Sequence, residues 1–138
     1  MRIQIHDEAL NQLLQKMKDA DLKAPLRDSA IYMKNSIQQN FDAQGRPEKW
    51  QPLSPKYAAW KQKKGYSPDI LILTGALRRS INISATAREA RIFTGMKYGP
   101  IHQLGGSKIP ARPFMVVQDE DISNIEDIFQ RYYEKLGE

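Results

Sequence analysis

The residues that could support catalysis are few in this chain. Only two histidines occur, His6 and His102, and there is no cysteine. Because a zinc site draws its ligands mainly from cysteine and histidine, a cysteine-based or histidine-rich metal centre is excluded. His102 could serve as a lone general base, but a catalytic base needs a partner that orients its ring, and the sequence indicates none. We favour a hydrogen-bonded structural role for His102.

Neither the serines nor the carboxylates fall into a catalytic pattern. Ser80 and Ser107 have no evident histidine and acid partners for a nucleophilic triad. The segment 105–108 reads Gly-Gly-Ser-Lys, but it lacks the GxxxxGK[ST] spacing of a phosphate loop, and no long helix follows it. The acidic residues gather at predicted helix starts, where capping and the helix dipole explain them. We therefore predict a protein that is not an enzyme and that uses no cofactor or metal.

Length and composition are those of an ordinary folded domain. The chain has 138 residues, of which 41% are apolar and 27% charged, so it can build one core but not two. Apolar runs such as Ile70–Leu73 are far too short to cross a membrane, and the N-terminus lacks a signal-peptide pattern. We expect a single domain over residues 1–138 that is made and used in the cytoplasm, without a membrane partner.

Charge is distributed unevenly along the chain. Residues 1–41 carry six Lys or Arg against five Asp or Glu, residues 42–112 thirteen against four, and residues 113–138 two against seven. A basic middle and an acidic end suit contact with another surface. The alternative is that the acidic end neutralises the basic middle within the same chain, and the sequence leaves both interpretations open.

Hydrophobic periodicity predicts an α+β fold in which a small antiparallel sheet packs with three to four helices. Amphipathic helices are expected from Asp7 to Ala20, after Pro25 as far as Phe41, and from Asp119 onward. Ser54 followed by Pro55 predicts the start of another helix, which Gly65 ends. The buried stripe predicted for the last helix comprises Ile122, Ile125, Ile128, Phe129, Tyr132 and Leu136.

Strands are predicted where apolar and polar residues alternate. Residues Ile81–Ala85 and Ala90–Thr94 alternate on either side of a plausible reversal, which predicts a β-hairpin. Arg2–Ile5 could form a short edge strand, and Phe114–Val117 is apolar and favours β-structure. Between these elements, Thr74 is expected to cap a short helix.

The segment from Tyr98 to Phe114 concentrates backbone restriction. It holds three of the eight glycines and three of the eight prolines. Prolines fix their own φ and extend the preceding residue, whereas a Gly-Gly pair allows a sharp reversal. We predict an ordered loop with a short helical turn at Ile101–Leu104 and an extended arm at Ile109–Phe114.

Three blocks of sequence stand in an order typical of one protein family. Their distinctive residues are Gly45, Trp50, Gln51, Pro52, Leu53, Ser54 and Tyr57; Ile72, Leu73, Thr74, Gly75, Ala76, Leu77, Ser80 and Ile81; and Tyr98, His102, Gln103, Leu104, Gly105, Gly106, Ile109, Pro110, Ala111, Arg112, Pro113 and Phe114. With these blocks the chain resembles the phage virion morphogenesis family, the tail-completion proteins of Mu-like and related tailed phages and prophages.

This resemblance implies a structural protein that acts without catalysis in tail completion or head-tail joining. Its partners would be further copies of itself in a ring, often six-fold in similar proteins, together with the phage tail tube and the neck or head-completion proteins. Such a protein would work in the cytoplasm of the bacterial host during assembly and remain in the tail or neck of the virion.

The stiff arm Ile109–Phe114 is suited to docking on a neighbour, because a restrained segment loses little entropy on binding. Arg112 is expected to form an interfacial or core-bridging ion pair, or else to pack within its own subunit. The candidate interaction residues are Trp50, Tyr57, Arg78, Arg79, Arg88, Arg91, His102, Ile109, Arg112 and Phe114.

A nucleic-acid-binding module is the alternative that the basic middle leaves open. It would use Arg78, Arg79, Arg88 and Arg91, together with the lysines of residues 61–64. Tyr57 and Trp60 stand among lysines in the helix predicted after Ser54, and aromatic rings with lysines can bind bases and phosphates. We favour a capped amphipathic helix whose aromatic residues anchor it and whose lysines are solvated. DNA contact is therefore secondary.

Overall fold

The computed structural model describes residues 7–137, and the fold over that range is α+β, as the periodicity predicts. The predicted edge strand Arg2–Ile5 and His6 lie outside the described residues. The helices are α1 (Glu8–Lys16), α2 (Lys23–Asp42), α3 (Pro55–Lys64), α4 (Ala76–Arg79), α5 (Gly99–Leu104) and α6 (Asp119–Leu136). Strands β1 (Ile81–Ala85) and β2 (Ala90–Thr94) form a two-stranded antiparallel sheet.

Residue contacts divide the chain into two compact units. We call residues 37–81 and 93–116 the basic unit, and residues 7–36, 82–92 and 117–137 the acidic unit. The basic unit carries eleven Lys or Arg against three Asp or Glu, a net charge of +8, whereas the acidic unit carries nine against twelve, a net charge of −3. The charge asymmetry of the sequence thus coincides with a structural division. The single-domain assignment stays a prediction.

The core of the acidic unit is formed by apolar side chains from α1, α2, α6 and the connection between α1 and α2. Its buried members are Leu10, Leu13, Met17, Leu22, Met33, Ile125 and Phe129. The Asp7 side chain caps α1 by accepting a hydrogen bond from the Leu10 N–H at 2.9 Å. The helix ends at Lys16, four residues before the predicted Ala20, and the chain forms a turn from Met17 onward.

Helix α2 begins at Lys23, two residues before the predicted proline boundary. Asp21 accepts a hydrogen bond from the Lys23 N–H at 2.9 Å, and Pro25 lies in the first turn. A proline is tolerated there because its missing N–H would have no partner inside the helix.

A buried carboxylate organises the start of α6. Asp121 accepts hydrogen bonds from the hydroxyl groups of Tyr32 at 3.0 Å and Ser36 at 2.9 Å, and from the Gln118 N–H at 2.8 Å. Favourable interaction with the helix dipole therefore explains only part of this residue's role. At the other end of α6, Leu136 is 49% exposed, so its assignment to the buried stripe is wrong because α6 extends past the core.

Local signals in the basic unit act where the sequence predicts them. Ser54 caps α3 by accepting a hydrogen bond from the Tyr57 N–H, and Gly65 ends the helix in the left-handed conformation. The N-cap of α4 is Gly75, not Thr74, although the Thr74 hydroxyl accepts a long 3.4 Å hydrogen bond from the Ala76 N–H. The predicted helical turn, which extends over Gly99–Leu104, is confirmed, and so is the predicted hairpin, most of which belongs to the acidic unit.

Candidate functional site

Residues of the first and third sequence blocks meet in the basic unit around Phe41. The Trp50 indole N–H donates a hydrogen bond to the Pro113 carbonyl oxygen at 2.8 Å. The Phe41 ring packs edge-on against Trp50 and tilted against Phe114, with centroids 5.7 Å away in both pairs. Trp50 and Phe114 are buried, so these two candidate interaction residues are core residues and present no surface to a partner.

The turn that leads into Trp50 requires a glycine. Gly45 has φ +114°, and a Cβ atom there would lie 2.5 Å from both the Glu48 carbonyl oxygen and the Trp50 nitrogen. The Trp50 N–H closes this turn on the Gln44 carbonyl oxygen at 2.8 Å. Only a residue without a side chain fits such a close approach of backbone to backbone.

The guanidinium of Arg112 ties the third block to the first. It donates hydrogen bonds to the carbonyl oxygens of Gln51 at 2.8 Å and Pro52 at 3.0 Å, and the residue is buried. Among the described residues, no carboxylate forms a salt bridge with it. The predicted core-bridging ion pair is therefore wrong, and Arg112 packs within its own chain, the alternative that the sequence left open, by donating hydrogen bonds to main-chain carbonyls. An interfacial ion pair stays a prediction.

The segment Phe114–Val117, for which the sequence favours β-structure, lies outside regular secondary structure. The side chain of Gln103 binds its backbone. Its side-chain oxygen accepts hydrogen bonds from the N–H groups of Phe114 at 3.0 Å and Met115 at 2.9 Å. Its side-chain nitrogen donates to the Met115 carbonyl at 3.0 Å. The expectation of β-structure is therefore wrong for this segment, where the side chains of Gln103 and Asn40 bind the backbone at Phe114 and Met115 in place of a neighbouring strand.

Lys61 is the one buried residue of α3. Its ammonium group donates hydrogen bonds to the carbonyl oxygens of Asp69 at 2.7 Å and Ile72 at 2.9 Å. Burial lowers the pKa of this ammonium group below its ordinary value because the charged form is poorly solvated. The amine thus holds the turn that follows α3, and the expectation of a solvated lysine is wrong at this position.

The aromatic residues of α3 lie on its exposed side. Tyr57 and Trp60, each 41% exposed, stack with ring centroids 5.6 Å apart. Trp60 also stacks with Tyr66 at 5.5 Å. The aromatic residues therefore do not anchor the helix as predicted. They form a continuous aromatic surface, which we call the aromatic stack (Tyr57, Trp60 and Tyr66).

Helix α5 exposes an apolar face, which we call the α5 face and which consists of Tyr98, Ile101 and Leu104. These residues are spaced by three, so they lie on one side of the helix. Leu104 is 74% exposed, and Tyr98 and Ile101 are also exposed. Ile109, at the start of the following arm, is exposed as well.

His102 is the next residue after Ile101 in α5, and its ring packs edge-on against Tyr98 with centroids 5.6 Å apart. Its Nδ1 atom is buried and has no hydrogen-bond partner within residues 7–137, so the predicted hydrogen-bonded role is wrong for this atom. Burial lowers the pKa of His102, and the positive charge of Arg112 lowers it further. Both effects favour the neutral form of the ring.

The four arginines of the nucleic-acid alternative belong to different units. Arg78 donates hydrogen bonds to the side chains of Gln38 and Asp42, each at 2.6 Å, and Arg79 donates to the Thr74 carbonyl. Both lie in the basic unit, whereas Arg88 and Arg91 lie in the acidic unit.

The three sequence blocks lie within a stretch of the chain that matches a known protein family. Residues 2–134 match the sequence model of the phage virion morphogenesis family. The chain belongs to this family. The family is one of particle assembly and is not known for catalysis, so this member is a protein of phage morphogenesis.

Two relatives of this family member come from Haemophilus influenzae. Mu-like prophage FluMu G protein 2 is 34% identical over 83% of this chain and 80% of its own length. Mu-like prophage FluMu G protein 1 is 29% identical over 94% of this chain and 89% of its own length. An uncharacterized protein of Methanocaldococcus jannaschii is 36% identical over 59% of this chain and 63% of its own length. No solved structure matches the chain.

Two kinds of site, a membrane-spanning helix and a metal-binding cluster, are absent from the part of this morphogenesis protein that the structure describes. Over the described range, no helix is long and apolar enough to cross a membrane. The same residues contain no cluster of histidine and carboxylate side chains that could hold a metal ion. The candidate site consists of the exposed aromatic and apolar side chains that α3, α5 and the neighbouring residue Tyr66 present.

Proposed function

We propose that this protein acts in tail completion or head-tail joining, as a structural component that assembles into a ring. The observation that carries the proposal is the α5 face. A side chain such as Leu104, 74% exposed in the single chain, gains about 1.5–3 kcal/mol when a partner buries it fully. Exposed apolar side chains that lie together mark surfaces for association.

The α5 face is supported from behind by hydrogen bonds that restrict its movement. Gln103 of α5 binds the backbone at Phe114 and Met115, and the Arg112 N–H donates to the His102 carbonyl oxygen at 2.7 Å. A surface held in this way loses little conformational entropy on docking. That property suits a protein that must join preformed parts of a particle.

Ring formation requires two different patches, because each subunit of a ring presents one patch to one neighbour and another patch to the next. The basic and acidic units, with net charges of +8 and −3, supply patches of opposite sign. A six-fold ring is the expected form by analogy with neck and tail-terminator proteins. Its other partners would be the tail tube and the neck or head-completion proteins.

The proposal is tested by complementation of a phage that lacks its own member of this family. Without the protein, heads and tails should accumulate unjoined, and the wild-type protein should restore infectious particles. Leu104→Asp should fold but fail to restore them. Ile31→Asp is the matched control because Ile31 is an exposed apolar residue outside the α5 face. Normal infectious particles from the deletion, or from Leu104→Asp, would contradict the proposal.

Binding of nucleic acid is a second candidate function, and the aromatic stack is the observation that favours it. Tyr57, Trp60 and Tyr66 lie beside three exposed lysines of α3, and exposed rings beside cations can bind single-stranded nucleic acid. This candidate predicts that single-stranded DNA is bound at low salt and released as salt rises. A gel-shift titration that finds no complex at low salt would rule it out.

A further inference from the structure

One face of α3 combines the aromatic stack with a positive rim. Lys56, Trp60 and Lys63 are spaced by four and three residues, so they lie on one side of the helix. Lys64 flanks them. All three lysines are exposed, and none of their ammonium groups forms a salt bridge with a described carboxylate. We call the surface formed by the aromatic stack and these lysines the α3 face.

The outward side of α6 carries charges opposite to those of the α3 face. Positions 119, 123, 127, 130 and 134 follow helical spacing on the side opposite the buried Ile125 and Phe129. All five are exposed, and they carry three acidic and two neutral polar side chains, with no cation among them. We call this surface the α6 stripe. Its members are Asp119, Ser123, Asp127, Gln130 and Glu134.

The two surfaces match in spacing as well as in charge. On α3, Trp60 follows Lys56 by four residues and precedes Lys63 by three. Read in the reverse direction on α6, Gln130 follows Glu134 by four residues and precedes Asp127 by three. Both pairs of charges are seven residues apart, which is about 10 Å along a helix. Two antiparallel helices in this register would oppose Lys56 with Glu134 and Lys63 with Asp127.

We propose that the α3 face binds the α6 stripe of a second copy of this chain in that antiparallel register. Lys56 then lies opposite Glu134, Lys63 opposite Asp127, and Trp60 over Gln130. The inference deepens the proposed function, on which it rests, because it identifies the two patches of the ring interface. Since the patches differ, the contact is heterologous and can propagate around a ring.

The aromatic stack supplies most of the binding energy in this interface, and the charges set its register. Exposed ion pairs contribute little individually, about 0.2–1 kcal/mol, whereas tryptophan and tyrosine are frequent hot spots of interfaces. Opposite charges steer association and exclude wrong registers. A protein helix is favoured over nucleic acid because Trp60 already stacks with two tyrosines, which leaves less of its ring surface for a base.

The register is tested by cross-linking, for which the absence of native cysteine is an advantage. Lys63→Cys and Asp127→Cys variants of the full chain are mixed and treated with a short bismaleimide over a series of protein concentrations. The mixed pair should give a cross-linked dimer in at least tenfold excess over either variant alone. Lys63→Cys mixed with Lys135→Cys is the control, because Lys135 is exposed on α6 but lies off the stripe. Equal yields from the two mixtures at every concentration would overturn the proposal.

Charge reversal adds a test of specificity by sedimentation equilibrium. Lys63→Glu should weaken self-association by roughly fivefold or more, and Asp127→Lys in the same chain should restore it, whereas Glu134→Lys should not. Trp60→Ala should weaken self-association by at least tenfold. Restoration by both second substitutions alike would overturn the register.

Three outcomes separate this inference from the function on which it rests. An oligomer of unchanged mass in Trp60→Ala and Lys63→Glu would overturn the inference and leave ring formation standing. If either variant assembles normally but no longer binds single-stranded DNA, the α3 face binds nucleic acid instead of a second copy, and the inference is overturned as well. Failure of the wild-type protein in phage complementation would contradict the proposed function whatever the cross-linking shows.

Discussion

The indole nitrogen of Trp50 lies 2.8 Å from the carbonyl oxygen of Pro113. This hydrogen bond joins two segments that are 63 residues apart in the chain and connects the loop before α3 to the arm after α5. The same pair of segments is joined by Arg112, whose guanidinium binds the carbonyls of Gln51 and Pro52. The α5 face is thus supported by contacts that only the folded basic unit brings together.

Substitution of Trp50 by phenylalanine should destabilise the protein by about 1–3 kcal/mol, because the Pro113 carbonyl loses its donor while the apolar packing is largely kept. Urea unfolding followed by circular dichroism measures the change. The matched control is Trp60→Phe, which should alter the free energy of unfolding by less than about 0.5 kcal/mol because Trp60 is exposed. Equal losses in the two variants would contradict the role assigned to the indole hydrogen bond.

Replacement of Lys61 by methionine should cost about 2–3 kcal/mol, because the carbonyls of Asp69 and Ile72 lose a charged donor. Methionine keeps most of the length of the apolar stem, so the loss reports the amine. Lys63→Met, on the exposed side of the same helix, is the control and should be nearly neutral. Thermal unfolding of both variants gives the comparison, and an unchanged melting temperature for Lys61→Met would show that the two hydrogen bonds do not contribute.

The neutral state of His102 predicts a pH dependence of stability. Its pKa in the folded protein is below the usual 6.5, so the unfolded state binds the proton more readily as the pH falls. The stability conferred by the neutral ring is therefore complete above pH 6.5 and declines as the pH falls through the folded pKa. In His102→Gln this part of the decline should disappear. Urea midpoints measured from pH 7.5 to 5 test it, and parallel curves for the two proteins would refute it.

Removal of the Asp121 carboxylate should destabilise the acidic unit by about 2–4 kcal/mol, since the hydroxyl groups of Tyr32 and Ser36 and one N–H group lose their acceptor. Burial, and then the hydrogen bond to Asp121, raises the pKa of Tyr32. In Asp121→Ala the pKa of Tyr32 should therefore fall, which NMR titration can follow. Asp119→Ala is the control because Asp119 is an exposed residue of the same helical turn. A Tyr32 pKa that is the same in both variants would count against the buried carboxylate.

A side chain at position 45 should disrupt the turn before Trp50. Gly45→Ala places a Cβ atom within 2.5 Å of two backbone atoms and also strains a positive φ, so we expect a loss of at least about 2 kcal/mol. Gly65→Ala meets no atom within 4 Å, although its φ is also positive, and should cost about 1 kcal/mol. The difference between the two in chemical denaturation isolates the steric part, and equal losses would show that the turn can relax.

Elements whose signals are local were predictable from the sequence. The ends of α3 follow from Ser54 and Gly65, which act on backbone groups within a few residues of themselves, and the hairpin follows from strict alternation. Helix stripes were predictable as far as the core extends. Leu136 continues the helical spacing beyond that limit, and periodicity alone does not reveal where the core ends.

The candidate site was less predictable because its supports act over long distances in sequence. A lysine among lysines indicates a solvated helix face, and nothing near Lys61 in the sequence shows that the Asp69 and Ile72 carbonyls need a donor. Gln103 likewise satisfies backbone groups that lie beyond a Gly-Gly break. The blocks that identify the family could be recognised, but the contacts that make Trp50 and Phe114 core residues depend on the folded arrangement around Phe41.

In the basic unit, long polar side chains form hydrogen bonds with backbone groups of the same unit. In a β-sheet, neighbouring strands form such bonds. This has a consequence for how the unit tolerates change. Apolar positions such as Met115 can accept exchanges of similar volume, whereas a side chain that binds the backbone, such as that of Arg112 or Gln103, must keep both its hydrogen-bonding groups and its length. Saturation mutagenesis should therefore show a narrower range of accepted residues at these polar positions than in the apolar core. Among distant relatives, we accordingly expect the hydrogen-bonding residues at these positions to vary less than the hydropathy of the core positions.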